Sequence, residues 1–184
     1  MKLNLSIKEI TQIGMCAALM AIFSQLSIPL PFTSVPVTLQ VFGIVVLAVI
    51  VGAKIATLSL IIFVIIGAIG LPVFANFSGG FGVIVGPTGG YIIGFIIMAF
   101  LIGYASSKQN KILLFIASYI AATIDLLLGT IYLKIVTGMS MQGALIAGLY
   151  PFIIKDFIII AIAVLIGLKV KKNVGSIIAR NVAA

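Results

Sequence analysis

The sequence predicts an all-α integral membrane protein: six transmembrane helices, both termini cytoplasmic, and an outer loop partly folded back over the bundle. Three observations carry this. Hydrophobic residues make up 63% of the 184 and charged residues only 8%, with a mean hydropathy of +1.42, far from the mix of a soluble domain. A hydrocarbon core of roughly 30 Å needs about 20 apolar residues per helix, and the chain supplies six such runs. With both termini assigned to the cytoplasm, Lys2, Lys8, Lys54, Lys108, Lys111, Lys169, Lys171, Lys172 and Arg180 lie inside, leaving only Lys134 and Lys155 toward the outer half. That asymmetry is the positive-inside pattern of a multi-pass protein of the cytoplasmic membrane. Residues 1–184 form a single domain.

The spans read in order as 10–28, 37–53, 55–71, 88–105, 112–133 and 149–168. Lys2 and Lys8 ahead of the first run imitate a signal peptide, but the run continues to about Ile28 without a clear cleavage context, so a retained helix is expected. In it Gly14, Ala17, Ala18 and Ala21 fall at i, i+3, i+4 and i+7, a stripe along which another helix can approach closely, from inside the bundle or from a partner. "PLPFTSVP" with its three prolines ends this span, and "GAK" makes a tight turn between the second and third. The connection "LPVFANFSGGFGVIVGP", 71–87, is Gly-rich and too apolar for a solvated loop. Non-helical backbone at membrane depth must be buried in protein or line a wet cavity, so this segment is expected to fold back over the outer end. "GGYIIGF" opens the fourth span, polar "SSKQNK" separates it from the fifth, and "TGMSMQGA" breaks the chain before the sixth. No repeat of the inverted-topology kind is visible.

Several classes of chemistry are excluded. The single cysteine, Cys16, cannot form an internal disulfide, and without histidine a transition-metal site is not expected. No P-loop, catalytic triad or dinucleotide fingerprint occurs, so neither an enzyme nor a resident cofactor is expected. The net charge of +8 is spread beside apolar segments and marks topology; it is no nucleic-acid surface. The bilayer is the first partner.

The polar residues inside the spans share one depth. At about 1.5 Å per residue, Lys155 and Asp156 sit roughly 10 Å in from the outer end of the last helix, and Asp125 lies roughly 20 Å from the inner edge. Gln25, Gln40 and Asn76 fall in the same outer layer, with Phe32, Phe74, Phe77, Phe81, Tyr91, Tyr150 and Phe152. A charge at the bilayer centre costs at least about 2.5 to 3.5 kcal/mol, so such residues face a cavity and a partner. Apolar walls with a few fixed polar groups describe a small-molecule site open to the outside. For Asp125 a structural and a functional reading both stand, and Gln25 near a helix end reads as interfacial polarity.

"PLPFTSVPVTLQVFGIVVLAVIVG", "GAIGLPVFANFSGGFGVIVGPTGGYIIGF" and "YPFIIKDF" together resemble the BioY family, the biotin-binding S components of energy-coupling-factor (ECF) transporters, from Ala17 to about Phe157. The resemblance implies biotin as ligand, and as partners a transmembrane coupling subunit and two cytoplasmic ATPases. Ala17 and Ala21 would form an A-x-x-x-A pattern facing the coupling subunit, and the Pro-rich loop would act as a lid. Asp156 would accept from biotin's ureido ring, Asn76 and Gln40 would complete the polar contacts, and Tyr91 and Phe74 would be walls. Lys155 would attract the carboxylate tail or pair with Asp156. The chain departs from the family pattern here: the family's Lys follows the Asp by several residues, whereas Lys155 precedes Asp156, so the resemblance carries over Asp156 alone. An S component for another vitamin and a small membrane-embedded lipid enzyme are the alternatives.

Overall fold

A computed structural model describes residues 5–183, with side chains described for residues 5–174. Helix α1, Ile7–Gln25, starts at a capping box: Glu9 N donates to Ser6 Oγ at 3.3 Å, and Ser6 N donates to Glu9 Oε2 at 2.9 Å. The proline-rich loop that follows is pinned at its base by two short antiparallel strands, β1 Ser27–Ile28 and β2 Val37–Thr38, with Ser27 opposite Thr38.

Helical segment α2, Gln40–Ala68, is interrupted at Gly52, whose φ of 77° and ψ of 176° no helix contains. An unbroken helix of that length would hold its ends about 40 Å apart. Instead Gln40 at its start lines the same cavity as Phe74, and Phe74 packs on Gly67 near its end. The chain therefore reverses at Gly52, and the arms 40–51 and 53–68 are two crossings joined at the "GAK" turn. Gly103 lets this turn sit directly on a neighbouring helix, since a Cβ there would strike Ala53 N.

Next come a 3-10 turn, Ala75–Phe77, a one-turn helix α3, Phe81–Ile84, and then α4, Gly89–Ser107. Helix α5, Lys111–Thr137, is capped by Asn110 Oδ1 accepting from Leu113 N at 3.1 Å and stops at left-handed Gly138. Where "TGMSMQGA" reads as a plain break, Ser140 caps an eight-residue helix α6, Met141–Gly148, through Gly143 N. It is about 12 Å long and cannot cross. Helix α7, Tyr150–Ala183, runs well past the expected end at 168. At about 50 Å it outlasts the hydrocarbon core, so its lysine-rich part emerges from the membrane.

The six crossings are thus α1, the two arms of α2, α4, α5 and α7. The broadest interfaces join α2 to α4 and α4 to α5. Met20 of α1, Ile44 and Leu60 of α2, and Met98 and Ile102 of α4 are fully buried in the common core; in lipid, close packing of this kind holds helices together. One end of the bundle is basic and tied by polar bonds. Lys54 Nζ meets Glu9 Oε1 at 2.7 Å, and Lys171 Nζ donates to Ser106 Oγ at 2.7 Å while Ser106 Oγ donates to Val49 O at 2.8 Å. The other end holds the cavity.

Candidate functional site

The cavity measures about 290 Å³. It lies beneath the proline-rich loop and the 74–78 segment, between the outer parts of α4, α5 and α7. Asp156, Lys155, Asn76, Gln40, Tyr91 and Phe74, the six residues singled out as a binding set, all border it, and so does Asp125.

The charged groups come from two helices. Asp156 is 3% exposed, and Lys155 Nζ lies 2.8 Å from its Oδ1. Neighbours on a helix point about 100° apart, but the long lysine stem bends across that gap. The ammonium also donates to Thr38 O at 3.3 Å and lies 5.6 Å from the Phe152 ring centre. Lys155 therefore turns into the protein and ties α7 to the base of the proline-rich loop. The contact with Asp156 is a close ion pair, and among the described residues no donor other than this ammonium reaches Oδ1. On α5, Asp125 is 2% exposed and its Oδ1 has no hydrogen-bond partner. Buried acceptors left unpaired are rare in folded proteins because each costs about 1–3 kcal/mol or more.

The loop over the cavity is held by a residue that sequence reasoning assigned to the interface. Gln25, at the end of α1, donates through Nε2 to Phe74 O at 3.0 Å and Pro72 O at 3.3 Å, and its Oε1 accepts from Phe77 N at 2.8 Å. This corrects the reading of Gln25 as mere interfacial polarity. Next to it Ser24 Oγ donates to Val73 O. The clamp fixes Asn76 and Phe77 with φ of 57° and 55°, a left-handed conformation that Asn tolerates and Phe adopts only when its surroundings impose it. Ser27 Oγ donates to Asn76 Oδ1 at 2.8 Å, so β1 braces the same side chain.

The other predicted residues have settled partners. Gln40 Oε1 accepts from Thr38 Oγ1 at 3.0 Å. Tyr91 donates its hydroxyl to Gly148 O at 2.7 Å, with Thr130 Oγ1 at 3.3 Å, so its ring is what remains for the cavity wall. Phe74 is anchored edge-on against Phe63, with centroids 5.4 Å apart, and against Gly67, where any side chain would collide with its ring. It holds the loop down as much as it lines the cavity.

Ala17 and Ala21 differ from expectation. Ala17 is 5% exposed and belongs to the bundle core, and Ala21 packs against that core half-buried. The small residues on the outward face of α1 are Gly14 and Ala18. The spacing defined the stripe correctly, but the bundle claims the Ala17 side of it.

Comparison with known proteins places this geometry. The family model described as the BioY family matches residues 1–176. The biotin transporter BioY of Thermotoga maritima is 40% identical over 170 residues, covering 90% of this chain and 96% of that protein. The probable biotin transporter BioY of Pyrococcus horikoshii is 37% identical, covering 90% and 98%. Among solved structures, the S-component for biotin from an ECF-type ABC transporter superposes with a TM-score of 0.83 at 30% identity, covering 94% of this chain and 95% of that one.

Proposed function

The chain belongs to the BioY family, and from that premise we propose that it is the substrate-specific S component of an ECF transporter, binding biotin at its outer end for uptake across the cytoplasmic membrane. It is a transport protein and not an enzyme. The observation that carries the ligand is the donor–acceptor balance of the cavity. Among the described residues, the Asp125 carboxyl presents an oxygen that lacks a donor, the Asp156 carboxyl is met only by the Lys155 ammonium, and Phe74, Tyr91 and Phe152 supply apolar walls.

Biotin answers each feature. Its ureido ring has two N–H donors and a carbonyl, its fused ring and chain are apolar, and its tail is a carboxylate. Asp156 accepts a ureido N–H, a charge-assisted bond contributing about 1.5–3 kcal/mol. The side-chain amides of Asn76 and Gln40 complete the polar contacts, and Lys155 turns from Asp156 to the carboxylate tail. Because Lys155 also holds Thr38 O, a ligand that draws on the ammonium acts directly on the base of the proline-rich loop.

No P-loop occurs in the sequence, so the energy comes from partners: a membrane coupling subunit and two cytoplasmic ATPases. The basic end of the bundle faces the cytoplasm by the positive-inside rule, which puts both termini there and the cavity toward the outside. Titration of the purified protein with biotin, thiamine and riboflavin tests the reading. Saturable binding of biotin alone is expected, and indifference to biotin at micromolar concentration would end it.

A further inference from the structure

Asp125 has no role in the fold that the structure can account for. It lies mid-helix, roughly 20 Å from the start of α5, too far in to cap either end. Among the described residues no hydrogen bond or ion pair reaches its carboxyl group. The nearby donors are committed elsewhere: Tyr91 donates to Gly148 O and shares its hydroxyl with Thr130, and the Lys155 ammonium serves Asp156 and Thr38. Across from it α4 carries Gly94, where a Cβ would strike Asp125 Oδ1, so the facing helix leaves room for the carboxyl and offers it no donor. A buried, unpaired acid at membrane depth is costly, yet this one borders the cavity.

We propose that Asp125 is a second ligand-contacting acceptor, so that the two N–H groups of the ureido ring are divided between Asp125 on α5 and Asp156 on α7. This rests on the biotin reading and deepens it. Specificity then follows from chemistry: a ring with two N–H donors satisfies both carboxyls, and a ligand with one leaves an acid buried and unpaired. Holding one rigid ring between α5 and α7 also fixes the spacing of these helices at the outer end.

The test combines Asp125→Ala and Asp125→Asn with biotin and with biotin methylated at either ureido nitrogen, reading Kd by calorimetry and ligand-free melting temperature. Since the side chain makes no bond to the protein, both variants are expected to melt no lower than wild type. Asp125→Ala is expected to weaken biotin binding about 10- to 150-fold, the loss of one hydrogen bond to a charged group, and Asp125→Asn less, because the amide oxygen still accepts. Methylation at the nitrogen facing Asp125 is expected to penalise wild type strongly and Asp125→Ala little further. An unchanged Kd in Asp125→Ala overturns the proposal. So does an equal loss for every analogue accompanied by a lower melting temperature, which marks a structural residue. Wild type that ignores biotin removes the reading beneath it, whereas wild type that binds biotin with Asp125→Ala unaffected removes this inference alone.

Discussion

Replacing Gln25 with alanine takes away the clamp that holds the 72–77 segment over the cavity. Two of its bonds are short, 3.0 Å to Phe74 O and 2.8 Å from Phe77 N, and each such bond contributes about 0.5–1.5 kcal/mol net. Together they favour the ordered loop by about 1–3 kcal/mol, a factor of roughly 5 to 150 in its ordering equilibrium. The left-handed Asn76 and Phe77 add to the tendency to relax once released. Binding requires the ordered loop, so the apparent Kd for biotin rises by up to the same factor. The bundle beneath is untouched, because the core of α1, α2 and α4 does not depend on this side chain. Calorimetric titration of Gln25→Ala, paired with amide exchange over residues 72–78, separates the two levels. Faster exchange in that segment with weaker binding is expected. Unaltered exchange together with an unaltered Kd would refute the assignment of Gln25 as the loop's anchor.

Lys155→Ala leaves Asp156 buried without its cation and cuts the tether to Thr38; a loss of about 3 kcal/mol is expected, seen as a lower ligand-free melting temperature together with weaker biotin binding. Gly103→Ala places a methyl against Ala53 N at the "GAK" turn. It is expected to destabilise the protein by about 1–3 kcal/mol while leaving biotin affinity near wild type, because the turn lies at the opposite end from the cavity; denaturation and titration of the same sample check both halves.

Hydropathy and charge made the six crossings legible, and the pair Gly52 and Lys54 marked the reversal that the backbone of Gly52 confirms. The helix ends moved by a few residues where capping, not hydropathy, decides: Ser6 starts α1 before the apolar run, and Ser140 starts α6 inside a stretch that looks like a plain break. The depth calculation gathered the polar layer correctly because rise per residue is fixed in a helix. Spacing along α1 identified which residues share a face but not where that face points, and so Ala17 fell on the wrong side. The role of Gln25 was not legible at all, since its partners lie 47 to 52 residues downstream in a loop with no periodic signal. The pairing of Lys155 with Asp156 was one of the two readings the residues allowed: the Cα–Cβ vectors of neighbours diverge, but four methylenes are enough to turn the ammonium back to Asp156.

The most direct test of the central claim is a structure of the protein loaded with biotin. The ureido ring is expected in the cavity with an N–H about 3 Å from an Asp156 oxygen and the carboxylate tail on the side of Lys155. Ligand density outside this cavity, or a ring turned so that Asp156 meets no donor, would contradict it.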